Sequence, residues 1–274
     1  ALPPEQFAKL QKELPGEVFT TRTLATYSYE LNNKKAPFDN VNVRKALNLS
    51  LDRNVITDKV LGQGQTPTYV FTPTYIEEGQ LIQQPAYSKE PMAQRNEEAI
   101  KLLEEAGYSK ANPLKFSILY NTNENHKKVA IAAASMWKAN TKGLIDVKLE
   151  NQEWKTYIDS RRAGRYDAAR AGWNADYNQA TTFGNYFLSN SSNNTAKYAN
   201  PEYDKAIAES YVATDAEGRA KAYAKAEEIL AKDFGIVPIF NYVNPRLVKP
   251  YVKGYSGKDP QDHIYLRNLY IIKH

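Results

Sequence analysis

The sequence has 274 residues, of which 42% are hydrophobic and 24% charged, an ordinary composition for a globular protein. It contains no cysteine, which excludes disulfides, thiolate metal sites and cysteine nucleophiles. The 36 basic and 31 acidic residues are interspersed, so the net charge of +5 supports nucleic-acid binding only weakly. No stretch approaches the roughly 18 apolar residues of a membrane span. The opening A-L-P-P-E-Q-F lacks basic and apolar signal-peptide regions, so we expect no signal peptide in this sequence.

The first third of the chain is predicted to mix helices and strands with one long loop. The pattern predicts a helix over residues 5–14, a strand over residues 25–31 and a helix over residues 43–50. Asp52 is expected to cap a further short helix. Residues 63–91 contain four prolines and few helix signals. They are predicted to form a long ordered surface loop, a kind of segment that is often functional.

The middle of the chain carries a regular alternation of strands and helices. A helix over residues 93–106 is expected to end at Gly107, a residue type favoured just beyond helix ends. Three predicted strands and two predicted helices then alternate. The strands cover residues 114–120, 144–151 and 166–171, and the helices cover residues 125–140 and 153–162. This order predicts parallel strands joined by right-handed crossovers, and therefore an α/β fold.

The last third of the chain is predicted to hold two helices, a strand and an irregular tail. Asn200-Pro201 opens the first helix, because proline is tolerated at the first helical position. Thr214 and Glu217 form a capping box for the second helix. The run I-V-P-I-F-N-Y-V, which starts at Ile236, predicts a strand whose proline favours a sheet edge.

Several polar and aromatic side chains follow the three predicted parallel strands. His126 comes shortly after the first strand, Trp154 follows the second, and Arg170 to Asp176 lie at the end of the third. Ligands of open parallel sheets bind beyond the carboxyl ends of the strands. We therefore expect these residues to meet at one edge of the sheet.

Each of these residues also has a purely structural interpretation. Asp176, in N-A-D-Y-N, matches an Asx-turn acid that hydrogen-bonds its own backbone. His126 matches an exposed residue in a first helical turn, and Trp154 and Trp173 match ordinary packing aromatics. Arg161 belongs to a group of arginines at a helix end, where such residues complement the helix dipole. The pattern alone leaves these interpretations open.

Signs of an enzyme are few. The sequence has no G-x-S-x-G, Walker A, G-x-G-x-x-G or H-E-x-x-H motif, and its histidines are His126, His263 and His274. A glycosidase needs two carboxylates at a controlled separation, whereas the region of Asp176 offers one. One acid and one arginine suit a zwitterion, with Asp176 binding an ammonium and Arg170 or a protonated His126 binding a carboxylate. We expect no catalytic residue, no metal and no cofactor.

Longer motifs resemble a known receptor family. Residues 31–53, L-N-N-K-K-A-P-F-D-N-V-N-V-R-K-A-L-N-L-S-L-D-R, are similar to the signature of the peptide- and nickel-binding class of ABC-importer receptors. The motifs E-W-K, R-A-G-W-N-A-D-Y-N, L-S-N-S-S-N-N-T-A, V-N-P-R-L-V-K-P and R-N-L-Y-I-I-K-H resemble its periplasmic oligopeptide-binding members in Gram-negative bacteria. The resemblance covers essentially the whole sequence. Asn174 departs from it, since the enterobacterial pattern has cysteine there.

The resemblance implies a fold and a domain organisation. We expect a lobe of the type II periplasmic-binding-protein kind, with a mixed sheet flanked by helices, plus partial strands of a second lobe. Residues 27–243 are then the ligand-closing lobe, and residues 1–26 and 244–274 are parts of a discontinuous main lobe. The hinge strands are expected near Tyr27 and Val243. Family members are considerably longer, so this sequence resembles their C-terminal portion.

The resemblance also implies roles for individual residues. Asp176 is expected to bind the α-ammonium of a peptide, while Arg170 and His126 meet the carboxylates of peptides of different lengths. The other expected contacts are main-chain hydrogen bonds and pocket walls from Gly172, Trp173 and Asn174, and side-chain pockets lined by Trp154, Arg161, Thr195 and Tyr242.

The expected function is the capture of short peptides in the periplasm, largely independent of their side chains. The expected protein is a monomer that contains the rest of the receptor, N-terminal to this sequence, and passes peptides to a membrane permease. A murein-peptide receptor of the same family is the main alternative. A peptidase or amidase that uses His126 is a more distant one, and a binder of single-stranded nucleic acid is a third.

Overall fold

A computed structural model describes residues 2–273, so the predicted segments 1–26 and 244–274 each extend one residue beyond it, and His274 lies outside it. The helices are Pro4–Glu13 (α1), Val41–Leu49 (α2), Met92–Glu105 (α3), Glu124–Asn140 (α4), Trp154–Arg162 (α5), Thr181–Gly184 (α6), Pro201–Val212 (α7) and Ala216–Lys232 (α8). The strands are Val18–Leu31 (β1), Thr66–Pro67 (β2), Leu114–Asn121 (β3), Ile145–Gln152 (β4), Ala168–Asn174 (β5), Ile236–Leu247 (β6), Val252–Lys253 (β7) and Tyr270–Ile271 (β8). Short helical turns cover Val55–Leu61, Ala86–Lys89, Asn185–Phe187 and Leu266–Asn268.

The main sheet is mixed. Within the described chain it has six strands in the order β2-β6-β1-β5-β3-β4, while β7 and β8 pair separately. β3 runs parallel to β4 and to β5, which confirms the predicted parallel pairing. β1 is antiparallel to both of its neighbours, β5 and β6. The carboxyl ends of β3, β4 and β5 therefore share one edge of the sheet.

Helices cover the two faces of the sheet. The alternation of β1 sends Tyr27, Tyr29 and Leu31 into one apolar cluster, where Tyr29 and the fully buried Trp137 of α4 pack with ring centroids 5.9 Å apart. A second cluster, around Phe183, joins the long loop to α6, α7 and α8. The predicted α/β lobe with a mixed sheet flanked by helices is confirmed.

Some details at the ends of elements differ from the sequence-based expectation. The N-cap of α8 is Asp215, whose carboxylate accepts a 2.7 Å hydrogen bond from the Gly218 amide, so the capping box at Thr214 was wrong by one residue. Aspartate caps helices at least as well as threonine does, and Asp215 rather than Thr214 lies directly before the first turn of α8. β6 is not a true edge strand, because the two-residue β2 pairs with it at Phe240 and Asn241. Asp52 does cap the short turn Val55–Leu61, accepting from the Asn54 and Val55 amides.

The ladder between β1 and β6 is interrupted. One part pairs Val18–Arg22 with Val243–Leu247 and the other pairs Thr26–Glu30 with Ile236–Asn241, with the register broken between Arg22 and Thr26. At the interruption, the Leu24 amide donates a 2.8 Å hydrogen bond to the Pro260 carbonyl. The Leu24 carbonyl accepts a 2.8 Å bond from the Ala175 amide. The backbone groups freed by the interruption are thus satisfied by more distant segments.

Candidate functional site

The candidate site is a cavity of about 580 Å³ whose floor is made by β5, β1 and β6. Alternate residues of a strand face the same side of a sheet, so each strand contributes every second side chain to this floor. The floor residues are Arg170, Gly172 and Asn174 of β5, Thr23 and Ala25 of β1, and Tyr242 and Asn244 of β6.

The structure brings six of the ten predicted site residues to this cavity. They are His126, Trp154, Arg170, Gly172, Asn174 and Tyr242. Trp154 stands at the rim with 57% of its surface exposed, and its ring stacks on Tyr157 at a centroid distance of 5.9 Å. The helices that follow β3 and β4 therefore meet β5 at this cavity, as the order of elements predicts.

Arg170 is the cationic centre of the cavity. Its Nη2 donates a 2.5 Å hydrogen bond to the Tyr242 hydroxyl, its Nη1 lies 3.4 Å from Asn121 Oδ1, and its guanidinium lies 5.2 Å from the Tyr27 ring centroid. Among residues 2–273 no carboxylate pairs with Arg170, and its buried Nε has no hydrogen-bond partner. A guanidinium held in place by neutral groups retains its charge for an anionic ligand.

Gly172 makes room for this arrangement. A Cβ atom at this position would lie 3.0 Å from Arg170 Nη2 and 3.1 Å from the Tyr242 hydroxyl oxygen. Any side chain would therefore push these two hydrogen-bonded groups apart. The value of glycine here lies in the close approach of its neighbours, because its backbone is an ordinary strand.

His126 lies beside Arg170 at the start of α4. Its backbone amide donates a 3.1 Å hydrogen bond to Asn123 Oδ1, and its ring lies 5.6 Å from the ring of Tyr27. Burial, with a further contribution from the Arg170 charge, lowers the pKa of His126 from 6.5 to about 3. The lowered pKa favours a neutral His126 near pH 7, whereas a protonated one was expected, and its role in binding a carboxylate stays a prediction. A neutral imidazole can still donate one hydrogen bond to a carboxylate.

Asp176 lies next to the cavity, in the exposed turn that follows β5. Its backbone amide donates a 3.2 Å bond to Thr182 Oγ1, and its carbonyl accepts a 3.3 Å bond from Gln261 Nε2. In the described part of the chain, nothing donates a hydrogen bond to its carboxylate. The Asx-turn interpretation is therefore wrong, since the carboxylate does not bond its own backbone. The side chain is exposed and available.

The other three predicted site residues point away from the cavity. Trp173 faces the opposite side of β5, where its Nε1 lies 3.3 Å from Thr182 Oγ1. Arg161 forms a buried ion pair with Glu30, with Nη2 2.8 Å from Oε1 and Nε 3.1 Å from Oε2. Thr195 donates a hydrogen bond to the same Glu30 carboxylate. A role in a side-chain pocket for Arg161 and Thr195 stays a prediction, as does a main-chain or pocket-wall role for Trp173.

Sequence reasoning missed part of the site wall. The tail crosses the cavity with Pro260, Gln261 and Asp262. Asp262 is held by an ion pair with Arg246 and by a 2.6 Å bond from Asn244 Nδ2. Asn244 could have been found, because it lies two residues after Tyr242 on the same strand face. The tail residues carry no local signal of their position.

Two further searches of the described chain gave no site. No cluster of three or more histidine, aspartate or glutamate side chains in residues 2–273 could hold a metal ion. No helix within this range combines the length and the apolar composition needed to cross a membrane.

Comparisons with known proteins agree with this geometry. The family model of bacterial extracellular solute-binding proteins, family 5 Middle, matches residues 1–195. The periplasmic oligopeptide-binding protein OppA of Haemophilus influenzae is 96% identical over 273 residues, which cover 100% of this chain and 50% of that protein. OppA of Salmonella typhimurium is 55% identical with the same coverage, and the murein peptide-binding protein MppA of Escherichia coli is 43% identical. The chain thus spans about half the length of the curated relatives it matches.

Solved structures show the same fold. The crystal structure of Haemophilus influenzae OppA in complex with the peptide RPPGFSPFR matches with a TM-score of 0.94 and 95% identity, covering 100% of this chain and 53% of that one. The Escherichia coli MppA structure matches with a TM-score of 0.92 and 43% identity, also covering 100% and 53%. Both of these solved relatives are named for binding peptides. The chain belongs to the family 5 bacterial extracellular solute-binding proteins.

Proposed function

We propose that this chain is part of a periplasmic receptor that captures short peptides and delivers them to the permease of an ABC importer. The observation that carries the proposal is the pair of free charges at one cavity. Arg170 has no carboxylate partner and the Asp176 carboxylate accepts no hydrogen bond among the described residues. A peptide with free termini carries the two complementary charges. The peptide-bound OppA structure and the 96% identity to that protein's sequence support the same ligand class.

The spacing of the two charges suits an extended ligand of a few residues. Four residue steps along β5 separate Arg170 from Asn174, or roughly 13 Å at about 3.3 Å per residue. An extended peptide advances by a similar distance per residue, so three or four residues reach from the Asp176 turn to Arg170. Ligands of different length would then place their carboxylate on Arg170 or on the neutral His126.

Recognition without side-chain selection requires contacts to the peptide backbone. We propose that the ligand lies along the end of β5, at Gly172 and Asn174, and adds main-chain hydrogen bonds as an extra strand does. Such bonds do not depend on the ligand's sequence. The ammonium would set the register of the peptide against Asp176, and a hydrogen bond to a charged group contributes about 1.5–3 kcal/mol.

Capture also requires the remainder of the protein. We propose that residues 27–243 form the closing lobe and that residues 1–26 and 244–274 belong to a second lobe, completed by the missing N-terminal half. The broken ladder between Arg22 and Thr26 supports a hinge in β1 and β6. Exposed apolar side chains in the tail, including Leu266 at 77% and Ile271 at 70%, support a covering partner within the same monomeric protein. Closure would then bury the peptide and present one shape to the permease.

A receptor for murein peptides is the main alternative. MppA, which is 43% identical to this chain, is named for binding murein peptides. The 96% identity to OppA instead favours peptides of general sequence. Mass spectrometry of the ligands that co-purify with the full-length protein discriminates between them. Muropeptides as the main species would favour the alternative, and mixed peptides of varied sequence would favour the proposal.

A peptidase that uses His126 has weaker support. In residues 2–273 no hydroxyl and no carboxylate hydrogen-bonds the His126 ring, so no nucleophile is activated and no acid orients the base. The neutral imidazole contacts Tyr27 instead. Peptides incubated with the full-length protein should therefore be recovered intact.

The Asp176 carboxylate provides the direct test of the proposal. In the full-length protein, Asp176→Ala should weaken the binding of a tripeptide at least about tenfold, the equivalent of about 1.4 kcal/mol, as measured by calorimetry. Removing the carboxylate leaves the peptide ammonium buried without a partner. Asp146→Ala is the matched control, because this exposed aspartate lies near the start of β4, at the opposite end of that strand from the site. Equal affinity of Asp176→Ala and the wild type would refute the assignment.

A further inference from the structure

The long loop over residues 63–91 packs against one face of α8. Arg219, Tyr223 and Glu227 are spaced by four residues, so their side chains lie in a row along the helix. We call these three residues the α8 stripe. Each makes hydrogen bonds outside its own helix, and together they reach the loop and the segment that carries Asp176.

Glu227 anchors the start of this contact. Glu227 is 6% exposed, and its carboxylate accepts hydrogen bonds from the Phe71 amide, the Thr72 amide at 3.1 Å and the Thr72 hydroxyl at 2.7 Å. The Phe71 carbonyl in turn accepts a 2.7 Å bond from the Thr26 hydroxyl of β1. The loop is thereby fixed between α8 and the strand that forms the cavity floor.

Arg219 anchors the loop a second time, through Glu78. Its Nη2 lies 2.7 Å and its Nε 2.8 Å from Glu78 Oε1. Glu78 is 5% exposed and has a φ of +64°, a left-handed conformation that is unusual for a residue with a Cβ. Its second oxygen accepts a 3.0 Å bond from Gln179 Nε2. Glu78 thus joins the α8 stripe to a residue three positions after Asp176.

Tyr223 reaches the same segment from the other side. Its hydroxyl lies 2.7 Å from Thr181 Oγ1, which donates a 2.6 Å bond to Gln179 Oε1. The backbone of the loop adds a further link, since the Ala180 amide donates a 2.9 Å bond to the Glu77 carbonyl. Gln179 is therefore held through both ends of its side-chain amide.

We propose that Glu78 and the α8 stripe are positioning residues for the ammonium receptor at Asp176. The Asp176 carboxylate has no hydrogen-bond donor within the described chain to hold it, so its place is set by the backbone of its turn. That turn is fixed on one side by the bond from the Asp176 amide to Thr182 and on the other by Gln179. The inference rests on the proposed function, because it assigns these residues to the binding of a peptide ammonium. The same proposal assigns a function to the long loop over residues 63–91, which carries Glu78.

The test compares two ligands in the full-length protein at pH 7. Trialanine carries the ammonium, while N-acetyl-trialanine lacks it, so the ratio of their dissociation constants isolates the contribution of the ammonium. Glu78→Ala and Arg219→Met should reduce this ratio by about fivefold, or about 1 kcal/mol. Glu78→Gln keeps an acceptor oxygen for Arg219 and should retain more of the ratio than Glu78→Ala. Lys221→Met is the control, because this exposed lysine pairs with Glu217 on the outer side of α8.

Each outcome decides between a positioning role and a structural role. A reduced ratio in the Glu78 and Arg219 variants, with an unchanged ratio in Lys221→Met, supports the proposal. Equal weakening of both ligands overturns it, because a general loss of structure does not distinguish the ammonium. Tyr223→Phe removes a single hydroxyl and serves as the milder variant if the others do not fold. An unchanged ratio in Asp176→Asn overturns the ammonium site itself, whereas a changed ratio there with unaffected stripe variants overturns only the positioning role.

Discussion

The buried ion pair between Arg161 and Glu30 allows a quantitative prediction. Glu30 is fully buried and accepts two hydrogen bonds from the Arg161 guanidinium, a 2.7 Å bond from the Tyr186 hydroxyl and one from Thr195. Burial lowers the pKa of Arg161, but the Glu30 charge more than offsets this, so the pKa lies well above its ordinary value. Replacing Arg161 by methionine leaves a carboxylate buried without a counter-charge. Such a loss costs about 3–5 kcal/mol of the free energy of unfolding.

A double-mutant cycle separates the charge from the packing. Glu30→Gln in the Arg161→Met background removes the stranded charge while keeping an acceptor for the Tyr186 hydroxyl, so it should restore about half or more of the loss. Urea unfolding of the full-length protein, followed by tryptophan fluorescence, measures each free energy. Trp173 is a local reporter, because its ring lies 4.9 Å from that of Tyr186. Lys35→Met breaks the exposed pair with Asp167 and should cost at most about 1 kcal/mol.

The result also decides what Arg161 does. If Arg161→Met loses less than about 1 kcal/mol of stability but binds peptides several-fold more weakly, the reasoning from burial is refuted. Arg161 would then line a ligand pocket, as the family resemblance implies. A large loss of stability with unchanged affinity for trialanine supports the structural role.

Two further predictions concern acid stability and the missing half. The unfolded chain protonates His126 near pH 6.5 while the folded chain does so only near pH 3, so stability falls as the pH drops through this window. Between pH 7 and 5 the loss due to this group is about 2 kcal/mol, and urea unfolding of His126→Gln should show a correspondingly smaller decline; an identical decline in both proteins would contradict the assignment. The isolated 274-residue chain should bind trialanine far more weakly than the full-length protein in calorimetry, because much of the cleft wall is absent. Comparable affinities would mean that this half alone forms the whole site.

The sequence predicted the regular parts of the fold because their signals are local. Strands β3, β4 and β5 alternate with helices, and parallel pairing follows from that order alone. The meeting of His126, Trp154 and Arg170 followed from the same reasoning, since His126 and Trp154 come after β3 and β4 and Arg170 lies in β5. The predictions that failed concern properties set by contacts between residues that are distant in the sequence. The protonation of His126 could not be predicted, because its burial depends on how α4 packs against β1.

One error in the site had a local cause. The predicted third strand ended at residue 171, whereas β5 continues to Asn174. With the correct end, the period of two would have placed Gly172 and Asn174 on the side of Arg170 and Trp173 on the other. The positions of Gln261 and Asp262, in contrast, follow only from the path of the tail across the cavity. No pattern within the tail encodes that path.

The interrupted ladder at Leu24 has a consequence for kinetics. Its amide proton is bonded to the tail at Pro260, and its carbonyl holds the amide proton of Ala175, just before the Asp176 turn. An amide proton exchanges with solvent only when its bond opens. Exchange at Leu24 therefore records how often the tail leaves the cavity, and exchange at Ala175 records how often the turn leaves β1. The exchange rates of these two amide protons thus report separately on the opening of the tail and on the opening of the Asp176 turn, the two walls that a ligand must pass.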